Sequence, residues 1–234
     1  KKKILIATGG TGGHVFPAYS LVEHFSKEGC LIEIVTDDRG LRFLKNYKNL
    51  RINIINSATV FTRNPLIFIV SFFKIILAFF NSLKFLFKSK PDIVFGMGGY
   101  SSFPVCVAAK IMKIPFIIYE NNLVLGKANR YLLPFSYKMF IAYSNLEGIN
   151  KKYLHKIALT GNIIREEILN FENKNSKTNE EQITFLILGG SQAAKIFDEK
   201  LPNIFEKCKK ERINIKIYQQ CLDYQNKELE KEYR

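Results

Sequence analysis

The stretch Ile4–Ala18, which reads I-L-I-A-T-G-G-T-G-G-H-V-F-P-A, decides the fold of this chain. Its apolar start predicts a buried strand over Ile4–Thr8, and the apolar residues after His14 recur at helical spacing. The glycines in between let the backbone approach a ligand closely, and the amides at the start of a helix favour an anion. We therefore predict a strand, a phosphate-binding loop at Gly9–Gly13 (loop 1) and a helix that ends at Lys27.

Short apolar runs and helical patterns keep alternating along the chain, which predicts an α/β fold with a parallel sheet and helices on both of its faces. Further strands are predicted at Leu31–Thr36, Arg51–Asn56, Asp92–Phe95, Pro115–Tyr119, Met139–Tyr143 and Ile157–Thr160. After a polar stretch the pattern restarts, with strands at Ile183–Leu188 and Ile213–Tyr218. We expect a first domain over residues 1–168, a linker over 169–182 and an incomplete second domain over 183–234, because two strands bury too little surface.

The chain is strongly basic: its 234 residues include 35 Lys and Arg against 21 Asp and Glu, a formal net charge of +14. Such a charge favours nucleic acid, anionic lipid or phosphorylated metabolites as partners, with a solvated lysine-rich surface as an equal alternative. The four cysteines form no C-x-x-C pair and are predicted to be reduced thiols of a cytoplasmic protein. The start at Lys1, with neither Met nor a signal-peptide pattern, suggests a trimmed chain.

Neither a metal site nor a dinucleotide site is predicted. The histidines lack metal-ligand spacing, and no D-x-D triplet supplies a carboxylate pair for a divalent metal on a sugar diphosphate. A nucleotide-dependent oxidoreductase is disfavoured, because Val15 stands where the dinucleotide fingerprint needs glycine. Loop 1 also lacks the P-loop lysine, so it is a phosphate site of another kind or merely a tight turn.

Two more glycine-rich loops follow predicted strands. Loop 2, Gly96–Ser102, reads G-M-G-G-Y-S-S, and loop 3, Gly189–Gln192, reads G-G-S-Q. Both offer backbone amides and hydroxyls ahead of a helix, although Ser191 could simply cap its helix. Three such loops in one chain favour a ligand site over a purely structural explanation.

Candidate reactive side chains stand close to these loops in sequence. His14 follows loop 1 and could take a proton from an attacking hydroxyl, although a histidine at a helix start is more often only a hydrogen-bonding residue. Glu120, Asn121 and Asn122 follow a strand, at the sheet edge where such folds bind ligands. Arg165 lies at the junction of the predicted domains, where it is either a diphosphate ligand or an ordinary surface arginine.

The stretch Pro65–Phe87 is apolar nearly all round. Polar residues interrupt it, so we predict the crossover helix of a β-α-β unit rather than a membrane span. Its surplus apolar surface and basic flanks predict contact with an anionic membrane surface, with a buried partner interface as the alternative. The predicted membrane patch comprises Phe72, Phe73, Lys74, Phe79, Phe80 and Lys84. We expect charged replacements at Phe72 or Phe79 to abolish liposome binding.

Five motifs in order resemble the MurG family of bacterial N-acetylglucosaminyltransferases, within glycosyltransferase family 28. They are G-G-T-G-G-H-V-F-P-A at Gly9–Ala18, G-M-G-G-Y-S-S-F-P at Gly96–Pro104, Y-E-N-N at Tyr119–Asn122, G-N-I-I-R at Gly161–Arg165 and G-G-S-Q-A-A at Gly189–Ala194. The family has H-E-Q-N, G-N-P-V-R and G-G-S-Q-G-A at the last three. Because the motifs span almost the whole chain, the resemblance is specific.

The resemblance implies a GT-B fold, in which two Rossmann-like domains face each other across a cleft. It implies inverting transfer of N-acetylglucosamine from UDP-N-acetylglucosamine to the muramyl C4 hydroxyl of lipid I (undecaprenyl-pyrophosphoryl-MurNAc-pentapeptide). The product would be lipid II for peptidoglycan, and no metal or other cofactor would be required. His14 becomes the candidate base. The implied donor ligands are Thr11, Gly12, Gly13, Asn122, Arg165 and Ser191, and the implied acceptor-side residues are Gly10, Gly98, Gly99, Tyr100, Ser101 and Glu120.

The family further implies a peripheral location on the cytoplasmic side of the inner membrane. Expected partners are the UDP-sugar, lipid I, anionic inner-membrane lipids and cell-wall synthesis or division proteins, but no nucleic acid. Tyr119 and Asn121 replace the family's His and Gln, and Ala193 replaces a glycine. The chain also stops at Arg234, where family members continue. Two alternatives to an active enzyme therefore stay open: an inactive fragment, and a membrane-binding acceptor subunit whose donor domain is a separate chain.

Overall fold

The protein forms two compact units, unit 1 over Lys1–Asn170 and unit 2 over Phe171–Arg234. The structure, a computed structural model, describes residues 1–45, 50–57, 65–170, 182–190 and 195–233. Residues 171–181 of the expected linker therefore lie outside the described residues. Each unit is described by itself below.

Within the described residues, unit 1 contains a seven-stranded sheet in the order β3-β2-β1-β4-β5-β6-β7. The strands are β1 Lys3–Ala7, β2 Leu31–Thr36, β3 Ile52–Ile54, β4 Ile93–Gly96, β5 Phe116–Glu120, β6 Lys138–Ile141 and β7 Ile157–Leu159. Every pairing is parallel, which confirms the predicted α/β fold. The strand order reverses between β1 and β4, and sheets of this kind bind ligands beyond the carboxyl ends of the strands at that point.

Helices cover both faces of this sheet. They are α1 Gly12–Lys27, α2 Asp38–Leu44, α3 Pro65–Ser89, α4 Gly99–Ile111, α5 Lys127–Leu132 and α6 Glu166–Leu169, with a 3-10 helix at Lys151–Lys156. Successive residues of β1 point to opposite faces, so Ile6 packs in the cluster with Val15 of α1, whereas Leu5 packs in the cluster with Val105 of α4. Two apolar cores, one on each face, hold the carboxyl ends of the strands in place.

The long apolar helix α3 connects β3 to β4 of the same sheet and packs along α4. The predicted crossover helix is therefore confirmed. Among the described residues, Leu66–Ser89 is the one helical stretch long and apolar enough to cross a membrane, and only 17% of its most apolar window is buried. Length and composition by themselves are weak evidence for a span, because a core helix meets the same criterion.

Unit 2 repeats the strand–helix pattern on a smaller scale. Its described residues form two parallel strands, β8 Ile183–Ile187 and β9 Ile215–Gln219, with helices α7 Lys195–Lys210 and α8 Asn226–Tyr233. Phe205 of α7 is buried and contacts the ring of Phe185 at a centroid distance of 5.2 Å. In contrast, Leu186 in β8 is 69% exposed. This small sheet leaves apolar strand residues uncovered.

Candidate active site

Loop 1 leads from β1 into α1 and leaves the start of that helix without a side-chain cap. Thr11 is the N-cap residue in an extended conformation, and its side chain makes no cap hydrogen bond. The first turn is fixed instead by the Thr8 hydroxyl, which donates to the His14 carbonyl (2.9 Å), and by the Asn121 amide, which donates to the Gly13 carbonyl (2.8 Å). Because the first amides of an α-helix have no partner within the helix, this end can bind an anion.

Loop 2 packs directly against the ring of His14. Gly98 and Gly99 have φ values of +87° and +74°, in the left-handed region that favours glycine. A Cβ atom built on Gly98 would lie 3.1 Å from Cε1 of His14, and one on Gly99 would lie 3.6 Å from Cδ2. Side chains at these positions would strain the backbone and crowd the ring. The structure thus brings the predicted site residue His14, which follows loop 1, together with Gly98 and Gly99 of loop 2.

The imidazole of His14 is half-buried and favours its neutral form. Its Nδ1 atom is shielded from solvent and makes no hydrogen bond of good geometry with the described residues. Burial lowers the pKa of His14 below the usual 6.5, while the charge of Glu120 and the Met97 backbone oppose this shift. His14 is consequently neutral at pH 7, which is the form that a general base requires.

Glu120 is a buried hydrogen-bond centre at the end of β5. One carboxylate oxygen accepts from the backbone and side-chain amides of Asn122 (3.2 and 2.7 Å). The other accepts from the Gly126 amide and the Asn129 side chain, both at 2.9 Å. These donors satisfy both oxygens, and Glu120 is only 2% exposed. The carboxylate of Glu120 therefore supports neighbouring residues, and its direct contact with the acceptor stays a prediction.

Asn129 on α5 is a site residue that the sequence analysis missed. Its amide nitrogen donates to the Tyr119 carbonyl and to Glu120, each at 2.9 Å. Its Oδ1 atom is buried and has no partner among the described residues. The sequence offered one signal for Asn129, namely a polar residue on the inward side of a short helix. Only the fold shows that Asn129 contacts Glu120.

A cavity of about 140 Å³ joins these residues at the carboxyl end of the sheet. It is lined by His14, Gly98, Gly99, Tyr100, Glu120, Asn122, Gly126, Lys127, Ala128 and Asn129. Oδ1 of Asn129, which has no partner among the described residues, belongs to a lining residue, and such an atom suits a ligand hydroxyl. Larger cavities occur elsewhere in unit 1 and in unit 2, but no glycine is among the described residues that line them.

Asp37, directly after β2, connects loop 1 to loop 2 and was not singled out from the sequence. Its Oδ1 accepts from the amides of Gly10 (2.9 Å) and Gly40 (2.8 Å), and its Oδ2 accepts from the Ser101 hydroxyl (2.8 Å). The Arg39 guanidinium also donates to Oδ2, at 2.9 and 3.1 Å. Burial acts to raise the pKa of Asp37, but these hydrogen bonds outweigh burial and hold the pKa below its usual value.

The contacts of Asp37 involve two of the predicted acceptor-side residues, Gly10 and Ser101. The Gly10 amide and the Ser101 hydroxyl each have one proton to donate, and both donate it to Asp37. Ser101 is moreover 2% exposed. In this structure these donors fix the two loops to each other, and contact of Gly10 and Ser101 with the acceptor stays a prediction. The sequence feature that could have identified Asp37 as a site residue is its position at the carboxyl end of a predicted parallel strand.

Arg165 lies beside the start of α1. Its guanidinium carbon is 4.8 Å from the centroid of the Phe16 ring, and its Nη1 is 4.0 Å from the Glu167 carboxylate. Tyr119, which departs from the family pattern, supports the segment that leads to Arg165. Its hydroxyl donates to the Gly161 carbonyl and accepts from the Ile163 amide, both at 3.2 Å. Ser191 of loop 3 lies outside the described residues.

The predicted membrane patch is exposed except at one position. Phe72, Phe73 and Phe80 are 49%, 64% and 60% exposed, and Lys74 and Lys84 are exposed too. The prediction that Phe79 lies on the exposed side was wrong, because Phe79 packs against the apolar core that contains Ala78. Helical geometry places residue 79 on the face that meets α4, which the composition of the stretch did not reveal.

Residues 4–141 match the glycosyltransferase family 28 N-terminal domain. The UDP-N-acetylglucosamine–N-acetylmuramyl-(pentapeptide) pyrophosphoryl-undecaprenol N-acetylglucosamine transferase of Pelagibacter ubique is 36% identical over 219 residues, 94% of this chain and 60% of that protein. The protein of the same name from Rickettsia bellii is 33% identical over 231 residues, 97% of this chain and 64% of that protein. The chain thus spans less than two thirds of these relatives.

The solved structures agree with the sequence comparison. The crystal structure of MurG from Acinetobacter baumannii superposes with a TM-score of 0.71 and 26% identity, over 100% of this chain and 62% of that chain. A UDP-GlcNAc 2-epimerase from Neisseria meningitidis shares the fold, with a TM-score of 0.57 and 20% identity. The match covers 99% of this chain and 69% of the epimerase chain. The chain has the GT-B type fold, and on the sequence match over residues 4–141 it belongs to glycosyltransferase family 28.

Proposed function

We propose that this chain supplies the acceptor side and the reaction centre of an inverting N-acetylglucosaminyltransferase. The donor would be UDP-N-acetylglucosamine, the acceptor the muramyl C4 hydroxyl of lipid I, and the product lipid II for peptidoglycan synthesis. The observation that carries the proposal is the cavity in which neutral His14 meets loop 2 and the Glu120–Asn129 pair. The relatives of Pelagibacter and Rickettsia bear the name of this transferase.

In the proposed reaction the acceptor hydroxyl oxygen attacks C1 of the donor sugar from the side opposite UDP. The new C1–oxygen bond forms while the bond from C1 to the diphosphate breaks, which inverts the configuration. His14 takes the hydroxyl proton, a role for which its lowered pKa keeps it neutral. Asn129 Oδ1 would accept from a sugar hydroxyl in the same cavity. General base catalysis of this kind contributes about 10²–10⁴-fold to the rate.

The leaving diphosphate requires positive potential on the donor side. We assign this role to the uncapped start of α1, with Thr11, Gly12 and Gly13, and to Arg165 beside it. Asn122 is exposed at the rim of the cavity and is a further proposed donor contact. Ser191 of loop 3 lies outside the described residues, and we propose it as a donor contact on the resemblance of its motif alone. On the acceptor side, Gly98, Gly99 and Tyr100 remain the proposed contacts, because they line the cavity directly.

We further propose that the reaction requires no metal, since backbone amides and Arg165 would neutralise the diphosphate. Excess chelator should then leave the transfer rate unchanged, in the presence of the intact substrates. A rate that falls with chelator and returns with added Mg²⁺ or Mn²⁺ would contradict this part of the proposal.

A membrane-bound acceptor requires the enzyme at the membrane, and we propose peripheral binding to the cytoplasmic face of the inner membrane through α3. The exposed side of this helix combines large apolar residues with Lys74, Lys84 and Lys88. Anionic lipids attract such basic positions by about 1 kcal/mol each near the surface. Cell-wall synthesis or division proteins are proposed as further partners, whereas nucleic acid is not.

The decisive experiment measures transfer of radiolabelled N-acetylglucosamine from the UDP-sugar to lipid I in detergent micelles. It compares three samples: this chain, a chain extended by the remainder of a relative's second domain, and this chain mixed with that remainder as a separate protein. Activity of the chain by itself supports a complete catalyst. Activity of the mixture alone supports the alternative of an acceptor subunit with a separate donor domain.

Activity in the extended chain alone identifies this chain as an inactive fragment of such an enzyme. If all three samples are inactive while a homologous transferase works under the same conditions, the proposed function is wrong. Binding of the acceptor without turnover would be detected separately, by co-migration of labelled lipid I with the chain in micelles.

A further inference from the structure

The carboxylate of Asp37 is buried between the two loops that meet at His14, yet the proposed reaction does not use it. We propose that Asp37 is a positioning residue that fixes loop 1 to loop 2 and thereby holds loop 2 against the His14 ring. The structural part of this proposal is independent of the proposed function, whereas its consequence for turnover rests on it.

The two oxygens of Asp37 hold different loops. Oδ1 accepts from the Gly10 amide of loop 1 at 2.9 Å, and Oδ2 accepts from the Ser101 hydroxyl of loop 2 at 2.8 Å. Ser101 follows Gly98 and Gly99 at the start of α4, and these are the glycines that lie on the imidazole. A movement of Ser101 would therefore displace the backbone that packs on His14.

The loops are also packed too closely to tolerate a change in their spacing. A Cβ atom built on Gly9 would lie 2.5 Å from the Ser101 hydroxyl oxygen and 2.8 Å from Oδ1 of Asp37. A Cβ atom on Gly99 would lie 3.8 Å from the Gly9 carbonyl. With so little free space, the position of the carboxylate sets the distance between the loops.

A carboxylate is needed here because both of its oxygens must accept. Asparagine would keep one oxygen for the Gly10 and Gly40 amides, and it is an equally good N-cap for α2. Its NH₂ group, however, cannot accept from the Ser101 hydroxyl or from Arg39. Asp37→Asn therefore keeps the helix cap but loses the charge and the Arg39 contact, and it can hold Ser101 only by donating to the hydroxyl oxygen. Ser101→Ala removes the loop 2 contact outright and leaves Asp37 in place.

The test is NMR titration of the His14 ring protons in the whole 234-residue chain. In Ser101→Ala, loop 2 should loosen and water should reach the ring, so the pKa of His14 should rise toward 6.5, and Asp37→Asn should show a smaller shift in the same direction. Loss of a nearby negative charge would by itself shift the pKa of His14 downward, and Ser101→Ala changes no charge. The direction of the shift thus separates the two causes.

Asp38→Asn is the matched control. It makes the same chemical change one residue away, where Asp38 accepts from the Asn56 side chain at 2.6 Å and has no contact with either loop among the described residues. The pKa of His14 should be unaffected by it. An unchanged titration of His14 in Asp37→Asn and Ser101→Ala, with native circular dichroism, would overturn the proposal.

Turnover is measured in the form of the protein found active in the transfer assay. There Ser101→Ala should lower kcat by about ten- to a hundredfold with the donor KM unchanged, since misplacement by an ångström costs rate rather than binding. A raised pKa of His14 without a loss of kcat would overturn the link to catalysis. If no form is active, the proposed function fails, but the NMR result still decides the role of Asp37.

Discussion

At the scale of the residue, the chemistry of the site depends on how one imidazole is surrounded. His14 stands at the start of α1, where a helix dipole disfavours a positive charge, and loop 2 covers its ring. Burial moves its pKa down, while Glu120 limits the shift. The balance leaves a neutral base that still has a nearby carboxylate to stabilise it once it is protonated.

The first prediction concerns His14 and pH. Because its pKa in the folded protein is below 6.5, the neutral base persists as the pH falls to that value and is lost only at lower pH. The acidic limb of kcat/KM, which reports the free enzyme, should therefore have its midpoint below 6.5. A midpoint above that value would exclude His14 as the base.

His14→Ala should lower kcat by about 10²–10⁴-fold and change donor binding little. The acidic limb should also disappear from the pH profile of the variant. His24→Ala, at the other end of the same helix, is the control and should keep wild-type turnover. Unchanged turnover in His14→Ala would remove this residue from the mechanism.

The second prediction concerns Tyr119, whose hydroxyl bridges Gly161 and Ile163 at 3.2 Å on each side. Tyr119→Phe leaves these backbone groups without their partner, so it should lower the free energy of unfolding by about 1–3 kcal/mol. Urea denaturation measures the change. Tyr137→Phe, at a side chain that is 68% exposed, is the control, and an equal loss in both variants would argue against the bridge.

At the scale of the element, helix α3 has one buried face and one exposed apolar face. Ala78, Ser82 and Leu86 are buried toward α4. The opposite face carries large apolar residues at intervals of three and four, and it comprises Leu66, Val70, Phe73, Leu77, Phe80, Lys84 and Phe87. A core helix needs apolar residues only on the side that faces the core. The exposed apolar face of α3 therefore indicates a surface that contacts a membrane or a partner protein.

The third prediction places a charge on that face. Phe73→Glu and Phe80→Glu should abolish sedimentation with vesicles that contain anionic phospholipid, because each replaces apolar contact by a repelled, hydrated group. The matched control is Ile168→Glu in α6, an exposed apolar position that is 54% accessible and lies outside α3. Equal loss in the control would point to a nonspecific charge effect.

Phe79→Glu is expected to behave differently, since Phe79 packs on the core. It should lower the melting temperature rather than change vesicle binding selectively. Persistent sedimentation of Phe73→Glu and Phe80→Glu at full strength would contradict the membrane face, whatever the result for Phe79.

At the scale of the whole molecule, the two units differ in how much of their sheet is covered. In unit 1, helices enclose both faces, and Leu5 and Ile6 of β1 are fully buried. In unit 2, Ile183 and Leu186 of β8 are 53% and 69% exposed. The uncovered strands contribute less apolar burial per residue, so the units should differ in stability.

The fourth prediction follows from this difference and uses hydrogen exchange. Backbone amides of β8 and β9 should exchange much faster than those of β1, β4 and β5, because they open by local unfolding of a small unit. Mass spectrometry of peptic fragments resolves the two groups. Equal protection throughout would mean that unit 2 is as well covered as unit 1.

Much of the fold was readable from the sequence. Apolar periodicity located every strand of unit 1 within about two residues, and β2 at Leu31–Thr36 was predicted at its observed limits. The glycine loops and His14 were found because their spacing is local. Such features depend on residues that are neighbours in the chain, and the physical preferences that produce them act over a few residues.

What the sequence by itself determined was thus the strand–helix order, the three loops, the candidate base and the family. Only the tertiary structure decided that Asp37 joins Gly10 to Ser101, which lies 64 residues after Asp37 in the sequence, that Asn129 donates to Glu120, and that Phe79 packs against the core. The reason is physical: which donors a buried carboxylate receives, and which side of an all-apolar helix is covered, depend on the close approach of residues far apart in the chain.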